Sequence, residues 1–197
     1  LAARLSHPNI VPIHAVEEHH DTVFFVMGFI EGETLAGRLE RAGALPPPDV
    51  SSILQQVAWA LAYAHGNGVI HRDVKPDNIL LERGSGRAYV MDFGIARAVG
   101  PDTDESEAVS TLTQVGHVVG TAAFMSPEQA AGEEVDGRSD LYSLGVVGFL
   151  ALTGELPFAG PSAQALLAKH LTESPPPVAS IRDGVPAPLA TAVDRLL

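Results

Sequence analysis

Three side chains that could bind charge or move a proton lie close together in one short stretch of the chain. Residues 71–78 read HRDVKPDN and carry the Asp73 carboxylate, the Lys75 ammonium and the Asn78 carboxamide. Pro76 and the turn-forming residues after it disfavour a helix, so the sequence predicts a loop of fixed geometry. This loop offers an acid–base group, a cation and a metal-ligating oxygen within eight residues.

A second carboxylate follows fourteen residues after Asn78, at Asp92 in the triplet DFG. Two apolar runs lie between them and are separated by a Gly-Ser-Gly turn, which predicts a short hairpin formed by residues 79–81 and 88–91. The hairpin would return Asp92 to the side of Asn78. A carboxylate oxygen and an amide oxygen at one point suit Mg²⁺ that also keeps some waters and phosphate ligands.

Together the two stretches resemble the protein kinases, whose signature is H-R-D-x-x-x-x-N followed by D-F-G. The resemblance implies that Asp73 accepts the proton of the attacking hydroxyl or orients it, while Lys75 neutralises charge on the transferred phosphate. It implies that Asn78 and Asp92 hold Mg²⁺, with Mn²⁺ as a possible substitute, and that ATP is the phosphate donor. It also assigns Lys75, Asp77, Asn78 and Asp92 to the nucleotide site and gives structural roles to His71, Phe93 and Gly94.

The composition is that of a folded globular domain with an acidic surface. The 197 residues are 46% hydrophobic and 18% charged, and the formal net charge is −12. This charge argues against nucleic acid or an anionic membrane as a general partner. There are no cysteines, which excludes disulfides and cysteine-ligated metals. The longest apolar run, near residues 144–152, is too short to span a bilayer.

The first part of the chain is predicted to contain the last turn of a helix at residues 1–5, then two strands. Residues 10–16 and 22–27 read as those strands, joined by a polar turn at 17–21. The pair His19-His20 in that turn is interpreted as solvated rather than metal-binding. No internal repeats are present.

By resemblance, this region is the middle of a kinase amino-terminal lobe. Residues 1–27 would be the remnant of that lobe, 28–33 the hinge, and 34–197 a helical carboxy-terminal lobe. Met27 would be the gatekeeper beside the adenine, the Gly28 carbonyl and the Ile30 amide would hydrogen-bond it, and Leu80 would lie beneath it.

Two helices are predicted after the hinge. Thr34 should cap a short helix that ends at Ala42. The prolines at 46–48 should start a core helix that ends near Asn67-Gly68, because its apolar residues follow i, i+3, i+4, i+7 spacing. Trp59 and His65 on this helix are interpreted as packing and capping groups rather than ligands.

Residues 92–128 form a long polar stretch that resembles a kinase activation segment ending in an A-P-E-like triplet, with Ser126 in place of Ala. The resemblance to bacterial Ser/Thr kinases makes Thr113 an autophosphorylation candidate, with Thr111 and Ser110 as alternatives. Thr121 opposite Lys75 is the Ser/Thr-directed pattern. Arg72 is hypothesised to pair with a phosphate on Thr113, which would order the segment. By the same resemblance, Glu128 is a structural residue.

The most apolar helix is predicted to run from Ser139 to Thr153. The resemblance implies that Asp140 accepts hydrogen bonds from the backbone of the 71–72 turn, while a plain helix-capping carboxylate is the alternative. Ser162 should cap a helix through Leu171, residues 175–177 read as a linker, and residues 188–197 read as a final helix.

The fold expected from all of this is α+β and protein-kinase-like, with a partial amino-terminal β lobe and a mostly helical carboxy-terminal lobe. The expected function is transfer of the γ-phosphate of ATP to Ser/Thr hydroxyls of proteins, with a kinase homodimer for trans-autophosphorylation as a possible partner. The expected location is cytoplasmic, with no membrane contact in this segment, although a membrane anchor elsewhere in the full-length protein is compatible with it.

Part of the family pattern is absent from this sequence. There is no G-x-G-x-x-G loop, and the only lysines are Lys75 and Lys169. The chain opens on Leu1 and reads as a fragment, which is expected to bind Mg-ATP weakly and to transfer phosphate poorly by itself. A pseudokinase scaffold and a small-molecule phosphotransferase are the alternative interpretations.

Overall fold

The computed structural model describes residues 5–20, 22–93 and 117–197. Its strands, in chain order, are β1 (Ile13–His19), β2 (Thr22–Met27), β3 (Gly32–Thr34), β4 (Ile79–Glu82) and β5 (Ala88–Val90). Its helices are α1 (Leu35–Ala42), α2 (Pro47–Gly66), α3 (His117–Ala122), α4 (Pro127–Ala131), α5 (Gly137–Thr153), α6 (Ala163–Thr172), α7 (Val178–Ile181) and α8 (Ala187–Asp194). Strands and helices together give an α+β fold, and a single 3₁₀ turn at Pro76–Asn78 lies in the predicted loop.

The strands form two small antiparallel sheets, β1–β2 and β3–β4–β5. The predicted hairpin is confirmed: Ile79 pairs with Val90 and Leu81 with Ala88. Strand β3 was not predicted, and it lies at the end of the segment interpreted as the hinge. Gly32 permits it, because a Cβ at this position would collide with the Leu81 carbonyl.

The first strand begins later than predicted. Val11 donates its N–H to the Val90 carbonyl at 2.9 Å, and Val90 donates its N–H to the Asn9 carbonyl at 2.8 Å. Residues 9–11 therefore run beside β5, and the pairing with the β2 side begins only at Pro12, whose carbonyl accepts the Gly28 N–H. The prediction of a turn at 17–21 was wrong for residues 17–19, which continue β1 and pair with β2.

The predicted helix caps are confirmed for α1 and α6. The Thr34 side chain accepts the Gly37 N–H at 3.1 Å, and the Ser162 side chain accepts the Ala165 N–H at 3.2 Å. Helix α2 begins at Pro47 and is followed by Asn67, as the prolines and the Asn-Gly pair indicated. Each cap satisfies a backbone group that the first or last helical turn cannot pair internally.

The core lies mainly between α2 and α5. Both helices bury residues along their lengths, and the fully buried side chains include Val57, Leu61, Val147, Phe149 and Leu152. Helix α5 starts at Gly137, two residues before the predicted start, because Asp136 rather than Asp140 caps it and accepts the Arg138 N–H at 2.8 Å. Trp59 is 55% exposed, so its interpretation as a packing residue was wrong.

The end of the described chain is more segmented than predicted. The four-residue helix α7 follows the proline linker, and α8 ends at Asp194 rather than continuing through the last residue. The Asp194 carboxylate accepts the Val178 N–H at 2.9 Å and so joins α8 to the start of α7. Among the described residues, no helix is long and apolar enough to cross a membrane.

Candidate active site

A buried carboxylate at the start of α5 binds the backbone of the loop at residues 71–78. Asp140 accepts the backbone N–H of His71 at 2.8 Å and that of Arg72 at 2.7 Å. A third contact joins Asp140 to the His65 ring at 2.7 Å. Asp140 is 1% exposed, and burying a carboxylate this deeply requires several hydrogen-bonding partners of this kind. The predicted contact between Asp140 and the 71–72 backbone is present.

Two residues of this region have left-handed backbone conformations. Arg72 has φ of 70° and Asp92 has φ of 62°. Non-glycine residues pay a steric cost there, and strained backbone of this kind is concentrated at functional sites. The hydrogen bonds that Asp140 accepts from the His71 and Arg72 N–H groups help to hold Arg72 in this conformation.

His71 connects the loop to the strand end that carries Asp92. Its Nε2 lies 2.8 Å from the Met91 carbonyl, and its Nδ1 accepts the Asp73 N–H at 3.2 Å. Its ring also packs on buried Phe93 with ring centres 4.7 Å apart. These contacts give His71 and Phe93 a positioning role, because they fix Asp73 and Asp92 relative to each other.

Four predicted site residues come together around the Asp73 carboxylate. Lys75 Nζ lies 2.8 Å from Asp73 Oδ2 and 3.2 Å from Thr121 Oγ1. The Asn78 side-chain nitrogen donates to the same Asp73 oxygen at 3.0 Å and to the Asp73 carbonyl at 2.7 Å. Lys75 thus links the Asp73 carboxylate, which stays partly accessible to solvent, to Thr121 from a distant part of the chain. A hydroxyl brought to this point would find both a proton acceptor and a cation.

Asn78 and Asp92 are the residues that fit a divalent metal. The Met91 N–H donates to the Asn78 carbonyl at 3.0 Å, which places Asp92 one residue beyond a direct pairing with Asn78. Both nitrogen-bound hydrogens of the Asn78 amide are directed to Asp73, so its carboxamide oxygen remains as the ligand atom. The described residues contain no cluster of three or more His, Asp or Glu that could hold a metal. Two oxygen donors suit a metal that takes its other ligands from water and phosphate.

The predicted adenine contacts lie where β2 ends. Met27 is the last residue of β2 and is partly exposed, and Leu80 lies on β4 opposite Thr34. The Gly28 N–H donates a hydrogen bond to the Pro12 carbonyl at 2.8 Å. Within the described chain, no backbone hydrogen bond uses the Gly28 carbonyl or the Ile30 N–H, the two groups assigned to adenine.

Sequence reasoning missed several residues that support the loop. Gln129 donates to the Arg72 carbonyl at 2.8 Å and completes a capping box with Ser126 at the start of α4. The Glu128 carboxylate accepts a hydrogen bond from the Ser139 hydroxyl, which joins α4 to α5. The S-x-x-Q spacing at 126–129 is a capping-box signal that could have revealed the first pair. His65, interpreted as a packing or capping group, instead contacts Asp140.

A buried polar pair lies behind the segment that carries Thr121. The Tyr142 hydroxyl is 2.7 Å from His170 Nδ1, and Phe158 packs edge-on against the same imidazole. Burial raises the pKa of Tyr142 to about 12, with a smaller contribution from the charge of Glu128. Burial also lowers the pKa of His170, an effect that the Ala123 backbone partly opposes. Both groups are therefore neutral near pH 7.

Other predicted residues have different outcomes. Arg72 is exposed, so its guanidinium is accessible from solvent. Asp77 is exposed and lines a cavity beside the loop. Gly94, Ser110, Thr111 and Thr113 lie outside the described residues.

Comparison with known proteins gives a consistent result. A family profile described as the protein kinase domain matches residues 1–185. The chain is 40% identical to the Ser/Thr-protein kinase PknB of Mycobacterium leprae over all of its residues and 31% of that protein. It is 43% identical to the Ser/Thr-protein kinase pkn2 of Myxococcus xanthus over 90% of this chain and 21% of that protein. It is also 43% identical to PknH of Mycobacterium tuberculosis over 99% of this chain and 30% of that protein. The chain thus spans about a third or less of each of these relatives.

Proposed function

The chain belongs to the protein kinase family, and from that premise we propose that it transfers the γ-phosphate of Mg-ATP to Ser and Thr hydroxyls of proteins. The curated relatives named above are Ser/Thr-protein kinases, and the family uses ATP with divalent metal ions. The observation that carries the proposal is the contact of Lys75 with both Asp73 and Thr121. This contact couples the catalytic loop to the segment that would receive the substrate.

The chemistry follows from what each side chain can do. Asp73 would orient the attacking hydroxyl and accept its proton, since its carboxylate is partly accessible and fixed by Asn78 and Lys75. Lys75 would neutralise charge on the phosphoryl group in transfer, and Thr121 would hold the Lys75 ammonium in place. Phosphoryl transfer depends chiefly on such positioning and charge stabilisation.

Asn78 and Asp92 would hold the divalent metal, which we propose to be Mg²⁺, with Mn²⁺ as a substitute. When bound, the metal would neutralise charge on the ATP phosphates. The Gly28 carbonyl and the Ile30 N–H would bind the adenine edge, with Met27 and Leu80 beside the ring. Because ATP is the phosphate donor, we propose that this domain works in the cytoplasm.

The experiment that tests the proposal is phosphoryl transfer by the full-length protein from γ-labelled ATP to a Ser/Thr-containing acceptor protein such as casein, because the 197 residues alone are expected to transfer phosphate poorly. Asp73→Asn should lower the transfer rate by about 10²–10⁴-fold, the usual contribution of a positioned general base. Asp183→Asn is the matched control, because Asp183 is exposed and does not contact the loop residues. Equal rates for Asp73→Asn and the wild type would contradict the proposal.

A pseudokinase scaffold is the alternative function, and the contacts of the loop do not favour it. A scaffold does not require Lys75 and Asn78 to bind the same carboxylate oxygen of Asp73, as they do here. Mg-ATP binding by the full-length protein without measurable transfer would support the scaffold instead.

Regulation by phosphorylation of residues 110–113 is a further part of the proposal. The Arg72 guanidinium is exposed while its backbone is fixed by Asp140 and Gln129, so it could receive a phosphate without rearrangement of the loop. A second copy of the kinase would supply the phosphate to Thr113, or to Thr111. In the full-length protein, Thr113→Ala and Arg72→Ala should each reduce activity, and full activity of both variants would contradict the switch.

A further inference from the structure

A polar cavity of about 460 Å³ lies between α1 and the turn that joins β4 to β5. Three of the ten arginines of the chain line it, namely Arg38, Arg41 and Arg83. Among the described lining residues, the only other charged side chains are Glu33 and Glu82. Arginines therefore outnumber glutamates here, and the cavity is locally cationic in a protein whose formal net charge is −12.

The Glu33 carboxylate fixes the two arginines of α1. Its Oε1 accepts a hydrogen bond from Arg38 Nε at 2.6 Å and one from Arg41 Nη2 at 3.0 Å, and its Oε2 accepts one from Arg41 Nη1 at 2.5 Å. The hydrogen bonds from Arg41 and Arg38 lower the pKa of Glu33 to about 2, so the carboxylate is ionised near pH 7. Guanidinium groups that are already held in place lose less side-chain entropy when a ligand binds them.

Several N–H donors at this cavity have no partner within the described chain. Arg38 uses only its Nε, so both of its terminal nitrogens can donate to a ligand. Arg83 uses one terminal nitrogen, which donates to Glu31 at 3.0 Å. Gly84 has φ of 87°, and its backbone N–H makes no hydrogen bond to another described residue. Guanidinium groups and the backbone N–H groups of such turns are donors that proteins use to bind phosphate.

The second glutamate of the lining does not occupy these donors. Glu82 Oε2 accepts a hydrogen bond from the Ser85 hydroxyl at 2.5 Å, and its Oε1 accepts one from the Tyr89 hydroxyl at 3.5 Å. Glu82 is therefore paired with hydroxyl groups, and the terminal nitrogens of Arg38 are left to an anion from outside.

We propose that this cavity binds a phosphomonoester dianion through Arg38, Arg41, Arg83 and the backbone N–H of Gly84. The three acceptor oxygens of such a dianion match forked guanidinium groups, which bind phosphate oxygens in pairs. Two sources share this chemistry: a small phosphorylated metabolite and a phosphorylated Ser or Thr side chain of a protein. The cavity contains no residue of the catalytic loop, so the proposal does not depend on phosphoryl transfer.

The first probe is glycerol 3-phosphate, and its binding to the full-length protein is measured by isothermal titration calorimetry. EDTA is present throughout, so that no divalent metal at Asn78 and Asp92 recruits the phosphate. We expect saturable binding of glycerol 3-phosphate and no binding of glycerol, which lacks the phosphate.

Matched variants of the protein locate the binding. Arg38→Gln should weaken it by about tenfold to a hundredfold, the usual effect of losing hydrogen bonds to a charged group. Arg38→Lys should weaken it less, because lysine keeps the charge but not the forked donors. Arg138→Gln is the control, since Arg138 is exposed and paired with Asp136 at 2.9 Å but does not line the cavity.

Arg83→Gln gives an independent test that folding does not limit. The Arg83 side chain is 74% exposed, so its replacement should leave the unfolding midpoint unchanged. Binding of glycerol 3-phosphate should nevertheless weaken by about tenfold, because one guanidinium group of the site is lost.

A Gly/Ser peptide with one central phosphothreonine is the second probe, and it separates the two sources. Tighter binding of this peptide than of glycerol 3-phosphate, with loss of the difference in Arg38→Gln, would support the site and identify a phosphorylated side chain as its ligand. Binding of glycerol 3-phosphate without binding of the peptide would support the site and identify a small metabolite.

Three outcomes would overturn the proposal. The first is that neither probe binds. The second is that Arg38→Gln and Arg83→Gln both fold and bind the probes as tightly as the wild type. The third is that Arg138→Gln loses as much affinity as Arg38→Gln, which would show a general effect of charge rather than a site in this cavity.

Discussion

Asp140 holds the backbone of Arg72 in a left-handed conformation from the first turn of α5. Its Oδ1 accepts the Arg72 N–H at 2.7 Å, and Arg72 has φ of 70°. The carboxylate is 68 residues away in sequence and 1% exposed. The position of the catalytic loop therefore depends on the packing of α5 in the core. A substitution that displaces α5 should also displace Asp73.

Asp140→Asn should lower the free energy of unfolding by about 1–3 kcal/mol. The amide nitrogen introduced by this change would face a backbone N–H that, in the wild type, donates to a carboxylate oxygen. An unsatisfied buried donor costs about that much. Asp136→Asn is the matched control on the same helix, because Asn is as good an N-cap as Asp and the change should cost less than about 0.5 kcal/mol. Urea denaturation of both variants measures the difference, and equal losses would contradict the role given to Asp140.

The strain at Arg72 predicts a difference between two small replacements. Arg72→Gly and Arg72→Ala both remove the guanidinium, but only glycine adopts a positive φ without steric cost. Arg72→Gly should therefore be more stable than Arg72→Ala by about 1 kcal/mol. Thermal or urea unfolding of the two variants measures this, and an Ala variant that equals the Gly variant would show that the left-handed conformation carries no cost here.

Local patterns in the sequence were sufficient to predict the elements around the site. The apolar runs on either side of the Gly-Ser-Gly turn gave the β4–β5 hairpin, and Thr34 and Ser162 marked helix starts because their side chains pair orphan N–H groups. The HRD and DFG motifs identified the residues that the fold brings to the Asp73 carboxylate and the metal position.

The parts that were missed depend on contacts between distant residues. Ile10 and Val11 looked like the start of β1, but their backbone pairs with β5, which a local pattern does not reveal. The short strand β3 exists because Gly32 lets the Leu81 carbonyl approach. Trp59 is a large apolar residue of the kind expected in a core, yet it lies on the face of α2 that is exposed to solvent. The cavity beside Asp77 arises from four separate segments and has no signature in any one of them.

Gly32 should be intolerant of a side chain. A Cβ at this position would overlap the Leu81 carbonyl in the β3–β4 pairing, where the backbone has little freedom to move. Gly32→Ala should destabilise the protein by about 1–3 kcal/mol or more, the usual cost of overpacking. Gly66→Ala is the control at the end of α2, where nothing lies within 4 Å of the added Cβ, and it should be neutral or stabilising by up to about 1 kcal/mol. Comparison of their unfolding midpoints checks the prediction, which an equal effect of the two changes would contradict.

The buried His170 predicts a loss of stability in mild acid. Burial lowers the pKa of His170 below its ordinary value of 6.5, so the unfolded chain takes up a proton at a pH at which the folded chain does not. The free energy of unfolding should therefore fall as the pH decreases through about 6.5 and towards 5. Burial lowers the pKa of His7 in the same direction, so part of the dependence should belong to that residue.

His170→Gln isolates the contribution of His170, because glutamine can still accept a hydrogen bond from Tyr142 but does not titrate. Urea unfolding at several pH values between 5 and 7.5 should give a shallower dependence for this variant than for the wild type, whatever its absolute stability. Parallel curves for the two proteins would show that His170 is not the group that takes up the proton. A shallower curve would show that His170, which joins α6 to Tyr142 of α5, stabilises the fold more when its imidazole is neutral.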